Sequence, residues 1–478
     1  MHKIAKPKFD VGIFKAYDIR GKYPEEINED AAYKIGRAFA GYIRIGKQKK
    51  DITIVVSCDA RASSPALKTA FIEGLVAEGV GVIDAGLTTT PMHYFVVNNA
   101  AADGGAMITA SHNPKEFNGI KLVRDRAEPI GEGMGLEEIR NATMRGIFNP
   151  FAERGTVVET NFLDAYIDFF VQKFKRLADY KIQLIADPAD GMTAIVLPKL
   201  LKKFPKFKVK LLDETLDMSF PNHEANPLNP AIFRDVQDAI MGIGSPSGNT
   251  SGWLASQSTF GVSFDGDGDR VGFVDEKGQV IKGDTMTALF AKYLAQSGDA
   301  VVYDVRSSRV VRETVESIGA RPIESRIGHV FIKKQVKKEN AVLGGEQSGH
   351  YYFRDFFGAD SAIFALFSLI GILQNTDMLL SKLAEPFKKY FKSDEISFAV
   401  LDKDTAIDKI VSRFPDAHIS FLDGAKVEYL HTVDGGARWW FSLRPSNTEN
   451  LLRLNIEADS PELLEEKKQM LIGLIDAI

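Results

Sequence analysis

Ile54-Val55-Val56-Ser57-Cys58-Asp59-Ala60-Arg61 decides how the chain is read. The apolar run has the character of a buried strand, and it closes on charge. Ser64-Pro65 follows as a helix cap with proline in the first turn, and Leu67, Phe71 and Leu75 give that helix one apolar face. Val80-Gly81-Val82-Ile83-Asp84 is a second strand. Strand, helix and strand in this order predict a parallel sheet with crossover helices.

Working outward, the same unit returns twice. Leu184-Ile185-Ala186-Asp187 and Val301-Val302-Tyr303-Asp304 are again apolar runs ending in aspartate. After each run come a helical stretch and a second apolar run, which opens into a polar, glycine-containing loop. The three loops are Ser111-His112-Asn113-Pro114, Asp265-Gly266-Asp267-Gly268-Asp269-Arg270 and Gly345-Glu346-Gln347-Ser348-Gly349-His350. Loops at the carboxyl ends of strands are where open α/β sheets bind ligands. Near the start, Val11 to Gly21 alternates and predicts a strand followed by a loop carrying Arg20. The last ninety or so residues differ. Arg438 to Leu443 and Leu451 to Ile456 predict adjacent strands joined by Arg444-Pro445-Ser446-Asn447-Thr448-Glu449-Asn450, and Pro461 to Ile478 predicts a closing amphipathic helix.

The expected fold is therefore α/β: three related α/β domains with mixed, largely parallel sheets, plus a C-terminal α+β domain, around a central cleft. The expected domains are 1–157 with the serine loop, 158–278 with the aspartate loop, 279–387 with the Glu346 loop and 388–478 with the Arg444 loop. A chain of 478 residues is too long for one core. Its 45% apolar and 26% charged residues are ordinary for a globular protein, and a formal charge of −5 points to neither nucleic acid nor an anionic membrane. Lys333, Lys334, Lys337 and Lys338 suit the solvated face of a helix. Cys58 is the only cysteine, which excludes an internal disulfide framework and fits a reducing compartment; its apolar surroundings predict burial. Met1 to Lys6 lacks the apolar core of a signal peptide. Ala362 to Leu373 is too short to span a bilayer and predicts a buried helix. A cytoplasmic location is expected.

Several stretches carry candidate chemistry. In Asp265, Asp267 and Asp269 the carboxylates alternate with glycine, so in an extended segment they face one way and crowd together. Such crowding calls for a cation, and all-oxygen ligation favours Mg²⁺, Mn²⁺ or Ca²⁺. An EF-hand loop needs glycine where Arg270 stands, and Val271 to Val274 predicts a strand rather than a helix; an acidic turn without metal is the plain alternative. Ser111, just beyond the buried run Ala106-Met107-Ile108, is presented on a tight turn. It is a weak nucleophile needing a metal, a base or a covalent phosphate; a polar capping turn is the alternative. Arg444, Ser446, Asn447 and Thr448 offer an oxyanion cradle, or simply a polar hairpin loop. Glu346 and Ser348 could bond sugar hydroxyls, and His329 is a candidate acid or base. A serine, a metal, sugar-hydroxyl ligands and an anion cradle together suit phosphoryl transfer between a serine and a phosphosugar.

Thr109 to Pro114, Asp265 to Arg270, Gly345 to His350 and Arg444 to Glu449 resemble, in order and spacing, the four signature loops of the α-D-phosphohexomutases. Tyr17-Asp18-Ile19-Arg20-Gly21 and Trp439 to Asn447 most resemble the bacterial phosphomannomutase/phosphoglucomutase branch. The resemblance implies that Ser111 carries a phosphate in the resting enzyme. One Mg²⁺ per chain would be held by Asp265, Asp267, Asp269 and a phosphate oxygen on Ser111. Hexose 1-phosphate and 6-phosphate, of mannose or glucose, would interconvert through a bound 1,6-bisphosphate that also serves as activator. By the same resemblance Arg20, Lys121 and His329 manage protons and charge, and Arg270 steadies the transferring group. Tyr17, Arg306, Glu346, Ser348, Arg444, Ser446, Asn447 and Thr448 bind substrate. The expected partner is a small phosphosugar, with no nucleic acid or membrane, and the expected state is a monomer or weak dimer.

Four departures from the family pattern stand out. Asn450 replaces the usual proline, and Arg306 stands where bacterial relatives often carry lysine. Gly242 to Ser258 is a long Gly/Ser-rich stretch that suggests a surface insertion. Gln347 is also frequent in the phosphoglucosamine mutase branch, whereas Asn447 argues against it. A phosphoglucosamine mutase and a catalytically silent sugar-phosphate-binding protein are the alternatives.

Overall fold

A computed structural model describes residues 9–148, 153–242, 259–429, 437–446 and 451–477. The expectations for Met1 to Lys6, for the stretch from residue 243 to Ser258, and for Asn447, Thr448 and Asn450 lie outside these residues. The chain forms two compact units, residues 1–282 with 348–382, and residues 283–347 with 383–478.

The first unit contains two complete sheets. In one, the strands run in the order Ile19–Lys22, Phe117–Arg124, Gly104–Ile108, Thr53–Cys58, Gly81–Leu87 and Val157–Glu159. Thr53–Cys58 is parallel to both neighbours, as the strand-helix-strand pattern requires, and Phe117–Arg124 turns back antiparallel beside Gly104–Ile108. The crossover helix Ser64–Ala77 buries Leu67, Phe71 and Leu75. The second sheet has the order Val280–Ile281, Val271–Val274, Thr259–Phe264, Ile182–Asp187 and Phe207–Leu211, with Ile182–Asp187 again parallel to both neighbours. The unit is completed by the antiparallel pair Tyr351–Phe353 and Ala359–Asp360 and by the helix Ala362–Thr376. That helix is capped where the Ser361 side chain accepts the Phe364 NH, and it is apolar all round because it is buried. Among the described residues no single helix is long and apolar enough to cross a membrane.

In the second unit, Ala300–Asp304 lies parallel to Arg321–Ser325 and Leu343–Gly345. Trp439–Pro445 and Leu451–Ala458 form the antiparallel pair read from the sequence, in a sheet extended by Ala425–Tyr429 and His418–Ser420, and closed by the helix Pro461–Asp476. The α/β class and its antiparallel C-terminal member are thus as expected.

Two local expectations fail. The alternation at Val11 to Gly21 is not one strand: Val11–Ile13 is a 3-10 turn, and only Ile19–Lys22 is strand, so Arg20 lies in a strand rather than a loop. The cause is Asp10, whose side chain captures the Gly12 NH at 2.8 Å and curls the backbone. Of the four lysines on the helix His329–Lys338, Lys333 is buried rather than solvated. At 1% exposure the whole side chain lies inside: it falls three residues from Val330 and from Val336 and shares their buried face.

The first unit also holds a network of aromatic rings. Phe170 lies 5.1 Å from Tyr166, 6.3 Å from Phe356, 6.2 Å from Phe364 and 6.0 Å from Phe367, centroid to centroid. Replacing Phe170 with alanine should cost ~3–5 kcal/mol of stability. Denaturant unfolding followed by fluorescence should show the loss; a change below ~1 kcal/mol would mean that the network can collapse around the gap.

Candidate active site

The site in the first unit is built on close approach of two backbones. Ser111, beyond the end of Gly104–Ile108, has a left-handed backbone with φ 53°, a conformation that costs energy outside glycine and asparagine and recurs at functional sites. The aspartate loop begins at the end of Thr259–Phe264. A Cβ on Gly266 would lie 2.5 Å from the Ser111 carbonyl oxygen, so only glycine lets the two loops meet. The meeting leaves Ser111 Oγ 3.0 Å from Asp265 Oδ2 and 3.2 Å from His112 Nδ1.

The three carboxylates do converge. Asp265, Asp267 and Asp269 are fully buried, and each offers an oxygen within 4.8 Å of the others. Asp265 Oδ1 accepts the NH groups of Gly268, Asp269 and Arg270. Asp267 Oδ2 accepts from Thr90 Oγ1 at 2.6 Å. Lys121 Nζ spans Asp267 Oδ2 at 2.7 Å and Asp269 Oδ2 at 2.6 Å. His350 Nε2 lies 3.2 Å from Asp269 Oδ1 and 3.3 Å from Arg270 Nε.

The electrostatics follow from this crowding. Burial, then the charges of Asp269 and Asp267, hold the Asp265 carboxyl well above the usual carboxylate range. Burial acts on Asp267 and Asp269 in the same sense, but Lys121 outweighs it and both titrate below that range, with His350 helping at Asp269. Lys121 is itself held firmly protonated: burial opposes its charge, and the two aspartates more than compensate. Burial, then Arg270 and Arg20, keep the His112 imidazole neutral beside the Ser111 hydroxyl, which donates to Asp265 Oδ2. The residues fit a hard cation. They are oxygen donors, and Asp267 Oδ1 is buried with no hydrogen-bond partner.

Arg61 was read from the sequence only as the charged end of a strand, and it proves to hold the serine loop. Its guanidinium, fully buried with Asp59 at 3.1 Å, donates to the carbonyl oxygens of Ser111, Asn113, Pro114 and Phe117 at 2.7, 2.7, 2.8 and 3.1 Å. Four carbonyls from one turn aimed at one planar cation fix the turn's shape. Arg20 reaches the same turn through Asn113 Oδ1 at 2.6 Å. Thr90 is a further site residue that carries no pattern of its own in the sequence, and His350, the last residue of the Glu346 loop, joins it. Ser348 Oγ lies 2.9 Å from His350 Nδ1. Tyr17 is half-buried in the segment before Ile19–Lys22.

In the second unit, Arg306, Glu346 and Arg444 are buried. Arg306 pairs with Asp304 at 3.3 Å, and Glu395 and Glu346 add to the field that keeps it charged despite burial. Arg444 lies 3.1 Å from Glu395 and 3.8 Å from Asp423, while Arg453 reaches the same Glu395 at 2.8 Å. Ser446 follows at the end of the strand Trp439–Pro445, and its NH donates to the Leu451 carbonyl. His329 is the first residue of its helix and half-buried, after Gly328. Glu395 joins the arginines and was not foreseen.

Comparison with known proteins is consistent along the chain. Models of the four phosphoglucomutase/phosphomannomutase domains match: alpha/beta/alpha domain I at residues 11–149, domain II at 164–278, domain III at 282–390 and the C-terminal domain at 395–474. A phosphomannomutase of Vibrio cholerae is 34% identical over 473 residues, covering 97% of this chain and 98% of that one. A phosphomannomutase of Methanocaldococcus jannaschii is 35% identical over 479 residues, covering 98% of each. The crystal structure of a phosphoglucomutase/phosphomannomutase family protein from Burkholderia thailandensis superposes with a TM-score of 0.84 at 28% identity, covering 98% of both chains. Four domain models in the family's order and relatives matched end to end carry one conclusion: the chain belongs to the phosphoglucomutase/phosphomannomutase family and with it to the phosphohexomutase enzymes.

Proposed function

We propose that the protein interconverts the 1-phosphate and 6-phosphate of mannose, glucose or both, by way of a phosphoserine at Ser111 and a bound hexose 1,6-bisphosphate. The observation that carries this reading is Ser111 Oγ, 3.0 Å from Asp265 in a nest of three buried carboxylates, on a backbone held in a costly conformation. The family and the names of its relatives support the reaction class; the sugars belong to the proposal. So does the division of the chain at residues 157, 278 and 387.

In the first half-reaction a sugar hydroxyl attacks the phosphorus on Ser111 Oγ. The new O–P bond forms as the Oγ–P bond breaks, and the hydroxyl proton passes to a base. In the second, Ser111 Oγ gives up its proton and attacks the other phosphorus of the bisphosphate. The bond from that phosphorus to the sugar oxygen breaks, the sugar oxygen takes a proton back, and phosphoserine is restored. Mg²⁺ at Asp265, Asp267 and Asp269 would neutralise charge on the transferring phosphoryl group. Arg270, beside Asp265, steadies that group. Arg20, Lys121 and His329 serve proton transfer and charge balance. Tyr17, Arg306, Glu346 and Ser348 bind the sugar, and Arg444, Ser446, Asn447 and Thr448 grip the phosphate that is not reacting.

Phosphorus NMR of mannose, glucose and glucosamine 1-phosphates, with Mg²⁺ and a trace of hexose 1,6-bisphosphate, tests the reading. Conversion of the first two to 6-phosphates is expected. Conversion of glucosamine 1-phosphate alone would make the protein a phosphoglucosamine mutase. Ser111→Ala should abolish turnover and leave sugar-phosphate binding within about threefold of wild type. A wild type as inert as Ser111→Ala, with both binding sugar phosphate, would mark a silent binding protein.

Lys121 separates metal binding from turnover. Its ammonium occupies the carboxylates that a cation would take, so the two compete. Lys121→Met should tighten Mg²⁺ binding by roughly tenfold in calorimetry, because an arriving ion no longer breaks two ion pairs. Turnover should fall by about 10²-fold, as for loss of a general acid or base. Weaker Mg²⁺ binding in Lys121→Met would show that the lysine supports the ion instead of competing with it.

A further inference from the structure

Each of the three repeated units has a buried aspartate at or just past the end of one strand, and all three make the same turn. The aspartate Oδ1 accepts the NH two residues on: Arg61 at 3.1 Å from Asp59, Ala189 at 2.8 Å from Asp187 and Arg306 at 2.8 Å from Asp304. In two of them that residue is an arginine that pairs with the aspartate. In the middle unit it is Ala189, and the cation comes from elsewhere in the chain.

That cation is His223. Its Nε2 lies 3.0 Å from Asp187 Oδ2 and 3.4 Å from Asp213 Oδ2, and its Nδ1 lies 2.8 Å from the Glu224 carbonyl oxygen. Both ring nitrogens face acceptors only, so both donate and the ring is an imidazolium. The bond to Asp187 is the main cause of a pKa raised to about 9. Asn222 Nδ2 joins the clasp, donating to Asp213 Oδ1 and Asp190 Oδ2 at 2.9 Å each. Asp187, Asp213 and Asp190 are the charged groups around the ring, and Ser263 Oγ also donates to Asp187.

The clasped loop carries Phe220, whose left-handed φ of 54° turns it toward the serine and aspartate loops. Its ring edge stands 2.9 Å from where a Gly266 Cβ would lie, and its centroid is 5.7 Å from the Arg61 guanidinium. Gly266 and Arg61 are the two residues that bring Ser111 to the carboxylates. We propose that Phe220, held down by the His223 clasp, is a positioning residue that seats Arg61 and the aspartate loop against the Ser111 turn. Its ring lies against both, with a cation–aromatic contact to Arg61. The sign of the pH dependence follows. The folded-state pKa of His223 lies above the unfolded value, so the stability its charge contributes is full below pH ~6.5 and is lost as pH rises through about 9.

Hydrogen–deuterium exchange of the peptide spanning residues 109–117 tests this without reference to turnover. Phe220→Leu and His223→Gln should each speed its exchange about tenfold, while the helix Ala362–Thr376 is unchanged. In wild type the same acceleration, corrected for intrinsic rates, should appear on going from pH 7 to 10, and His223→Gln should lack it. The kinetic arm rests on the mutase reading: kcat should fall by about 10- to 100-fold in Phe220→Leu with KM little changed. Unaltered exchange at residues 109–117 in both variants, or in wild type across that pH range, would overturn the proposal. A wild type that turns over no phosphosugar would instead sink the mutase reading and leave the exchange result to stand.

Discussion

Three carboxylates in a dry place cannot all stay charged unless something positive stands among them, and the first unit is arranged around that constraint. Lys121 comes from the antiparallel strand Phe117–Arg124, Thr90 from the start of the helix Thr90–Asn99 and His350 from the segment before Tyr351–Phe353. Backbone NH groups of the loop itself satisfy Asp265. Each of these groups is delivered by a separate element, so the sheets, crossover helix and returning segment must all be in place before the site is neutral. A cation entering among the three carboxylates would have to displace a lysine that already balances them.

The repeated unit explains why such a site can be assembled with few parts. A strand ends in aspartate, the aspartate bends the chain by accepting the NH two residues later, and its remaining oxygen recruits a cation. What the cation then holds differs from unit to unit. Arg61 holds the serine turn, and His223 holds its own loop. Asp304, paired with Arg306, also accepts the Gln347 NH at 2.9 Å and thereby fixes the start of the third loop. One local device serves three loops of different chemistry.

The strands and helices were legible because apolar runs and four-residue spacing are local signals, and the four loops because glycine, proline and clustered carboxylates are local too. The pairings were not. Thr90 and Asp267 lie far apart in the chain, and so do Arg61 and the Ser111 turn; nothing near Arg61 in sequence distinguishes a loop-holding arginine from a solvated one. Glu395, which gathers Arg444 and Arg453, stands outside every motif. At Val11–Ile13 the apolar alternation was real, but a single aspartate side chain outweighed it. At Lys333 residue type misled, since its place three residues from Val330 and Val336 puts this lysine among buried residues.

The first unit is discontinuous: it is closed by residues 348–382 after the chain has left it at residue 282. Phe364 and Phe367, which pack against Phe170, Phe174 and Phe204, belong to that late segment. During synthesis the ribosome must therefore add the whole intervening stretch before those rings are covered, a delay on the order of ten seconds at ordinary elongation rates. Over that interval the nascent chain carries an uncovered aromatic surface, the kind that chaperones bind and that misassembles when left alone. The same rings that hold the finished unit together thus set the order in which it can be made.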